Sequence, residues 1–158
     1  MGVINTVREY KSSVPASRMF KAIVLDSHVI IPKLLPQSMK CIEIEGDGGV
    51  GSVRVSKFPE GSPFKYMKHR VEAIDSEKYY SKYTLFEGDI MGASLESLVQ
   101  ELQFTATDGG CICKSINTYY PKAGAELSQE EIKDGEEKSM GLYKVVEEYL
   151  LANPNSYV

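Results

Sequence analysis

The stretch whose reading decides the fold is residues 128–151, SQEEIKDGEEKSMGLYKVVEEYLL. It contains no proline, and Ser128 with Glu131 has the S-x-x-E spacing of a capping box, in which each side chain satisfies the other's orphan backbone donor. Residues ~100° apart around a helix put Ile132, Gly135, Ser139, Leu142, Tyr143, Val146 and Leu150 on one face. Lys133, Glu137, Lys144 and Glu148 fall opposite. The spacing predicts a long amphipathic helix packed on another layer. The middle of its inner stripe is small, at Gly135 and Ser139, where a close-packed core favours larger side chains. Gly135 also costs roughly 1 kcal/mol of helix propensity against alanine. The expectation is a helix that covers a space rather than filling it.

Upstream of that helix the period is that of strands. Residues 2–11 alternate, and then Ser12 and Ser13 precede Val14-Pro15, a helix start followed by a stripe of Met19, Phe20, Ile23 and Val24. Asp26 or Ser27 caps a second short helix running through Ile31 or Leu34, limited by Pro32 and Pro36. From Met39 the alternation returns, in segments 41–45, 52–57, 64–75, 78–87, 95–106 and 111–121. The separators are short and rich in Gly, Asp, Ser and Pro, so these six strands form an antiparallel meander. The predicted fold is α+β: a seven-stranded curved antiparallel sheet gripping the long C-terminal helix, with two short helices closing one end. One domain spans residues 1–158.

Composition narrows the function. The chain has 158 residues, 42% hydrophobic and 25% charged, as an ordinary globular domain has. A net charge of −4 argues against a general nucleic-acid binder, so no stable nucleic-acid partner is expected. Residues 1–10 lack the apolar core of a signal peptide, and no apolar run approaches the ~20 residues that span a bilayer. Cys41, Cys111 and Cys113 are an odd set without a secretory signal, which favours free thiols in a reducing compartment. With His28 and His69 the only histidines, a zinc site is not expected, nor is any cofactor.

The remaining motifs each have an ordinary structural reading. Gly46-x-Gly48-x-x-Gly51 matches the dinucleotide fingerprint, but that motif needs a helix to follow, and here a strand follows. A structural glycine hairpin is the default. No carboxylate pair stands out as an acid–base couple, and Ser115 and Ser139 lack partners for a triad. His69, amid Tyr66, Met67 and Val71, is either a hydrogen-bonded strand histidine or a polar group lining a ligand cavity. Lys138 flanks the small stripe and is either solvated or reaches toward a cavity mouth.

Five stretches carry a specific resemblance: VPASRMFKA at 14–22, IEGDGGVG at 44–51, FPEGSPFKY at 58–66, KYTLFEGD at 82–89 and VEEYLLANP at 146–154. Together, and in the order of their elements, they resemble the birch pollen allergen family, the class-ten pathogenesis-related proteins of plants. The likeness runs the length of the chain without large gaps. It implies a helix-grip fold enclosing a large hydrophobic cavity that binds small amphipathic plant metabolites: flavonoids, cytokinins and other hormones, fatty acids or sterol-like molecules. It also implies a cytoplasmic, defence- or stress-related monomer with no membrane partner. Carried over by position, the wall is Ile23, Ile30, Met39, Phe58, Phe64, Tyr66, Met67, His69, Tyr83, Leu98, Gln100 and Leu102, with Lys138, Ser139, Leu142 and Tyr143 from the final helix. Such a lining, mostly apolar with a few orienting polar groups, suits a pocket for small molecules.

The same resemblance carries two enzyme alternatives. One is a ribonuclease using the glycine loop, Arg54 where the family usually has lysine, Glu96, Glu147 and Tyr149. The other is a condensing or isomerising enzyme of secondary metabolism, with Lys114 and Tyr83 as candidate acid–base groups. No catalytic residue is assigned, because neither set has a compelling mechanism in sequence.

Overall fold

The alternating segments become one sheet. The protein, described here by a computed structural model covering residues 2–158, has strands β1 (Ile4–Ser12), β2 (Cys41–Glu45), β3 (Val53–Lys57), β4 (Tyr66–Asp75), β5 (Tyr80–Gly88), β6 (Leu95–Thr107) and β7 (Gly110–Pro121). All pairs are antiparallel, in the order β1-β7-β6-β5-β4-β3-β2. The meander from β2 to β7 is as expected, and β1 completes the sheet on β7, with Ile4 opposite Tyr119 and Ser12 opposite Cys111. Two irregularities bend β4 against β5, one passing over Phe86 and the other over Glu72. Bulges of this kind increase local twist and curl a sheet around what lies on its concave side. Where β7 begins, just after the tight turn from β6 and beside the end of β1, only glycine fits: a Cβ at Gly110 would collide with the Ser12 carbonyl, and its φ is +156°.

The helices occupy the predicted places with different ends. Helix α1 (Ala16–Phe20) is continued by a wider, π-type segment, Lys21–Leu25. No side chain caps it. The Pro15 carbonyl accepts from Arg18 and Met19, while the Ser12 hydroxyl accepts from the Val14 N–H and so turns the chain out of β1 instead. Helix α2 (Ser27–Leu34) takes the longer of its two expected ends and runs through Pro32. Its preceding residue, Asp26, spends its carboxylate on the Tyr157 hydroxyl, not on a cap.

Helix α3 (Gln129–Ala152) starts at Ser128, whose Oγ accepts from the Glu131 N–H at 3.2 Å, one half of the expected box. Its buried residues are Ile132, Glu136, Tyr143, Val146 and Leu150. This corrects the expected stripe. Gly135 is exposed, and the neighbouring Glu136 points inward, 4% exposed. Its carboxylate accepts from Thr6 Oγ1, from Arg8 Nε at 2.8 Å and from the Tyr119 hydroxyl at 2.6 Å. At the far end, the Arg18 guanidinium donates to the carbonyls of Leu150, Asn153 and Ser156 at 2.9–3.0 Å, meeting the negative end of the helix dipole.

Between these two clamps the apolar core divides. One cluster joins α1, α2 and the C-terminal half of α3, through residues such as Phe20, Phe104, Cys113, Tyr143 and Val146. A second holds Leu85, Met91, Leu98, Tyr119 and Ile132 at the other end. A domain of this size more often has one contiguous core.

Burial alone would raise the Glu136 pKa, but the bonds from Thr6, Tyr119 and Arg8 outweigh it and hold the group below its ordinary 4.5. A depressed folded value contributes stability above the unfolded pKa that is lost as pH falls through the folded one. Glu136→Gln should therefore cost about 2 kcal/mol at pH 7 by denaturant unfolding. The gap to wild type should close on acidification below the carboxylate range.

Candidate functional site

Strand pairing fixes which side chains face α3. In register across the concave face lie Ile44, Arg54, His69, Leu85, Leu98 and Tyr119, and beside them Val71, Tyr83, Gln100 and Asn117. Ser56 with Met67, and Ser81 with Leu102 and Ser115, flank these rows. The face is unusually polar at its centre. Arg54, Ser56, Ser81, Ser115 and Asn117 are all buried there.

Several inward side chains keep accessible surface. Ile42, Ile44, Met67, His69, Gln100 and Leu102 are only half-buried, and so are Ser139, Met140 and Leu142 on the facing stretch of α3. His69 is half-buried, and its surroundings desolvate it enough to bring its pKa from 6.5 down to about 4, with Gln100 opposing the shift and Arg54 adding to it.

The expected wall residues separate into groups. Met67, His69, Tyr83, Leu98, Gln100 and Leu102 lie on the concave face, with Ser139, Leu142 and Tyr143 across from them. Ile23 and Ile30 sit inside the packed cluster at the α1–α2 end. Met39 is half-buried in the turn before β2. Tyr66 is corrected: it pairs with Lys57 on the convex face, where its hydroxyl donates to Glu87 at 2.9 Å. Phe58 and Phe64 pack on each other, 6.4 Å between ring centres, and Phe58 borders a convex-side recess with Lys57, Lys65 and Tyr66. Lys138 is exposed and outside the wall, because it lies on the solvent side of α3. Arg54, Ser115, Asn117 and Glu136 were missed as inward groups. Register with His69 is the signal that would have turned Arg54 inward.

The other motifs are used internally or do not converge. In the glycine loop, Asp47 accepts from the Gly49 N–H at 2.8 Å, Gly48 donates to the Ser52 hydroxyl at 2.9 Å and Gly51 to the Val71 carbonyl at 2.8 Å. Bonds from Gly49 and Ser52 hold Asp47 below its usual range, so the loop already cradles an anion of its own. Of the ribonuclease set, Arg54 is inside and Glu96 exposed on β6. Glu147 is bound by Tyr10 at 2.8 Å and Ser13 at 3.2 Å on the β1 edge, and Tyr149 by Lys33. Lys114 follows the buried Cys113 and precedes the buried Ser115 along β7, so it faces away from Tyr83. Cys111 and Cys113 are buried free thiols 3.8 Å apart.

The comparisons bear on the family and the fold. The profile of the pathogenesis-related protein Bet v 1 family matches residues 1–153. The chain is 46% identical over 158 residues to pathogenesis-related protein STH-2 of Solanum tuberosum, covering 99% of both. It is 42% identical over 158 residues to the major allergen Mal d 1 of Malus domestica, again covering 99% of both. The solved structure of Ara h 8.0201 superposes with a TM-score of 0.87 at 36% identity, over 96% of this chain and 99% of that one. Norcoclaurine synthase from Thalictrum flavum, in complex with dopamine and hydroxybenzaldehyde, superposes at 0.73 and 22% identity, over 96% and 88% of the chains; that likeness is of fold alone.

The lowered value for His69 gives a direct check. Its imidazole should titrate near pH 4 by NMR, against 6.5 for an ordinary histidine. The folded state then binds fewer protons than the unfolded one between those values, so this group lowers stability progressively as pH falls through that window. A titration near 6.5 would mean that the ring is solvated.

Proposed function

The chain belongs to the pathogenesis-related protein Bet v 1 family, and from that premise we propose that it is a carrier or reservoir for small amphipathic plant metabolites, held between α3 and the concave face of the sheet. The observation that carries this reading is the division of the core. Two packed clusters flank a stretch where half-buried Met67, His69, Gln100 and Leu102 face half-buried Ser139 and Leu142. An aromatic guest burying about 200 Å² gains roughly 5 kcal/mol before costs, which reaches micromolar affinity with a few hydrogen bonds. Flavonoids, cytokinins and fatty acids are the classes in view, in a cytoplasmic monomer of defence or stress responses. The pathogenesis-related and allergen names of the relatives support that setting, and no helix of the described residues is long and apolar enough to cross a membrane.

A carrier reading is preferred to an enzyme because the candidate acid–base and ribonuclease groups lie on different faces and edges of the sheet. The norcoclaurine synthase with dopamine and hydroxybenzaldehyde bound supports the capacity of this architecture for aromatic guests.

The test uses the neutral dye N-phenylnaphthylamine. Its fluorescence should rise on binding, and a flavonoid, a cytokinin or a fatty acid should displace it. Ser139→Phe, on the line from Glu136 to Tyr143, should fill part of the space and weaken the dye about tenfold with the melting temperature little changed. Absence of binding to the wild-type protein by the dye and by all three ligand classes would defeat the reading.

A further inference from the structure

The four arginines of the chain divide by the negative charge each one meets. Arg8 pairs with Glu136 at 2.8 Å and Arg70 with Glu72 at 3.1 Å, and Arg18 takes the carbonyl end of α3. Arg54 is the only buried one, 8% exposed, and no carboxylate of the described residues pairs with it. Its Nη1 donates to Ser27 Oγ at 2.6 Å and lies 3.5 Å from the Tyr83 hydroxyl, while Nη2 donates to the Val24 carbonyl at 2.8 Å. The guanidinium carbon stands 5.1 Å from the centre of the Tyr83 ring. Its Nε has no hydrogen-bond partner among the described residues.

Every group that Arg54 touches is therefore neutral. Neutral oxygens and an aromatic face recover only part of the hydration that a buried guanidinium gives up, and the usual remedy is a carboxylate. The neighbours offer none. His69, opposite Arg54 in the β3–β4 pairing, is kept from protonating partly by Arg54 itself, so it adds no charge and leaves one cation alone on this face. Arginine, unlike lysine, cannot relieve the strain by losing its proton.

We propose that Arg54 is the anchor for an anionic group on the guest, so that the site takes small amphiphiles bearing a single carboxylate, with their apolar body against Met67, Leu102 and Leu142. This rests on the internal site proposed above and adds the charge class of what fills it. A carboxylate on the guanidinium supplies the counter-charge that the chain lacks, and the neutral imidazole of His69 offers a further hydrogen-bond partner beside it. A purely structural Arg54, tying β3 to the α1–α2 segment through Val24 and Ser27, gives no such preference.

The experiment compares matched pairs that differ only in charge: dodecanoate with dodecanol, and anilinonaphthalene sulfonate with N-phenylnaphthylamine. Affinities for the intact protein are measured at neutral pH by calorimetry and fluorescence. The anionic member of each pair should bind at least about tenfold tighter, as a charge-assisted hydrogen bond gives. That advantage should persist in high salt, which screens surface lysines but not a buried pair. In Arg54→Gln the ratio should fall to about one, and Arg54→Lys should keep part of it by retaining the charge without the fork. Equal binding of charged and neutral members to the wild-type protein overturns the proposal without recourse to a variant. So does a preference that survives Arg54→Gln or disappears with salt. Failure of both members of each pair to bind overturns the internal site, and the proposal with it; binding of both members without charge preference overturns only the role of Arg54.

Discussion

The buried carboxylate of Glu136 is the constraint on which the arrangement of α3 depends. Taking a carboxylate out of water is tolerated only when donors replace the hydration, and here Thr6, Arg8 and Tyr119 do so from two adjacent strands. The rotation of the helix about its axis is thereby set, since a turn in either direction would strand the charge. Arg18 fixes the other end through the last carbonyls of the helix. Held at both ends, α3 spans the curved sheet as a beam spans its supports, and its middle need not press on the strands beneath.

Much of this was legible in the residues. Strand limits followed from alternation and from glycine-rich returns, so β2 at Cys41–Glu45 emerged with its bounds intact and β7 shifted by one residue at its start. The cap at Ser128 was equally plain. Faces were harder than elements. A helix reading that puts small or apolar residues inside selects Gly135, and nothing near Glu136 in the chain announces that two of its partners, Thr6 and Arg8, are more than a hundred residues away. Strands have the same weakness, because a one-residue change of phase exchanges the two faces. Val53-Arg54-Val55-Ser56 invites an apolar-inward reading, yet Arg54 and Ser56 face His69 and Met67 on the concave side. Tyr66 falls on the convex side by the same pairing.

The frame of this chain is shared with proteins of different tasks. A structure at 22% identity shares the frame and belongs to an enzyme, so the frame by itself does not specify a task. The buried serines, Asn117, His69 and Arg54 form a pattern of donors on an otherwise apolar surface. In the proposed site such a pattern would orient a guest and discriminate among guests of similar size.

The clamp at Arg18 also bears on the order in which the chain can fold. Segment 4–25 supplies β1, α1 and the wider turn after it, yet its partners lie almost wholly in the second half of the chain: β7 for β1, Phe104 and Cys113 for α1, and the carbonyls of Leu150, Asn153 and Ser156 for Arg18. Contacts so distant in sequence close slowly, because the loop between them must be ordered first. During synthesis from the N-terminus, β2 to β5 can pair with their neighbours as they emerge, whereas segment 4–25 must wait for residues 104–156. The part made first is the part fixed last, and until then its Val14, Met19 and Phe20 remain exposed to whatever else in the cell binds apolar chain.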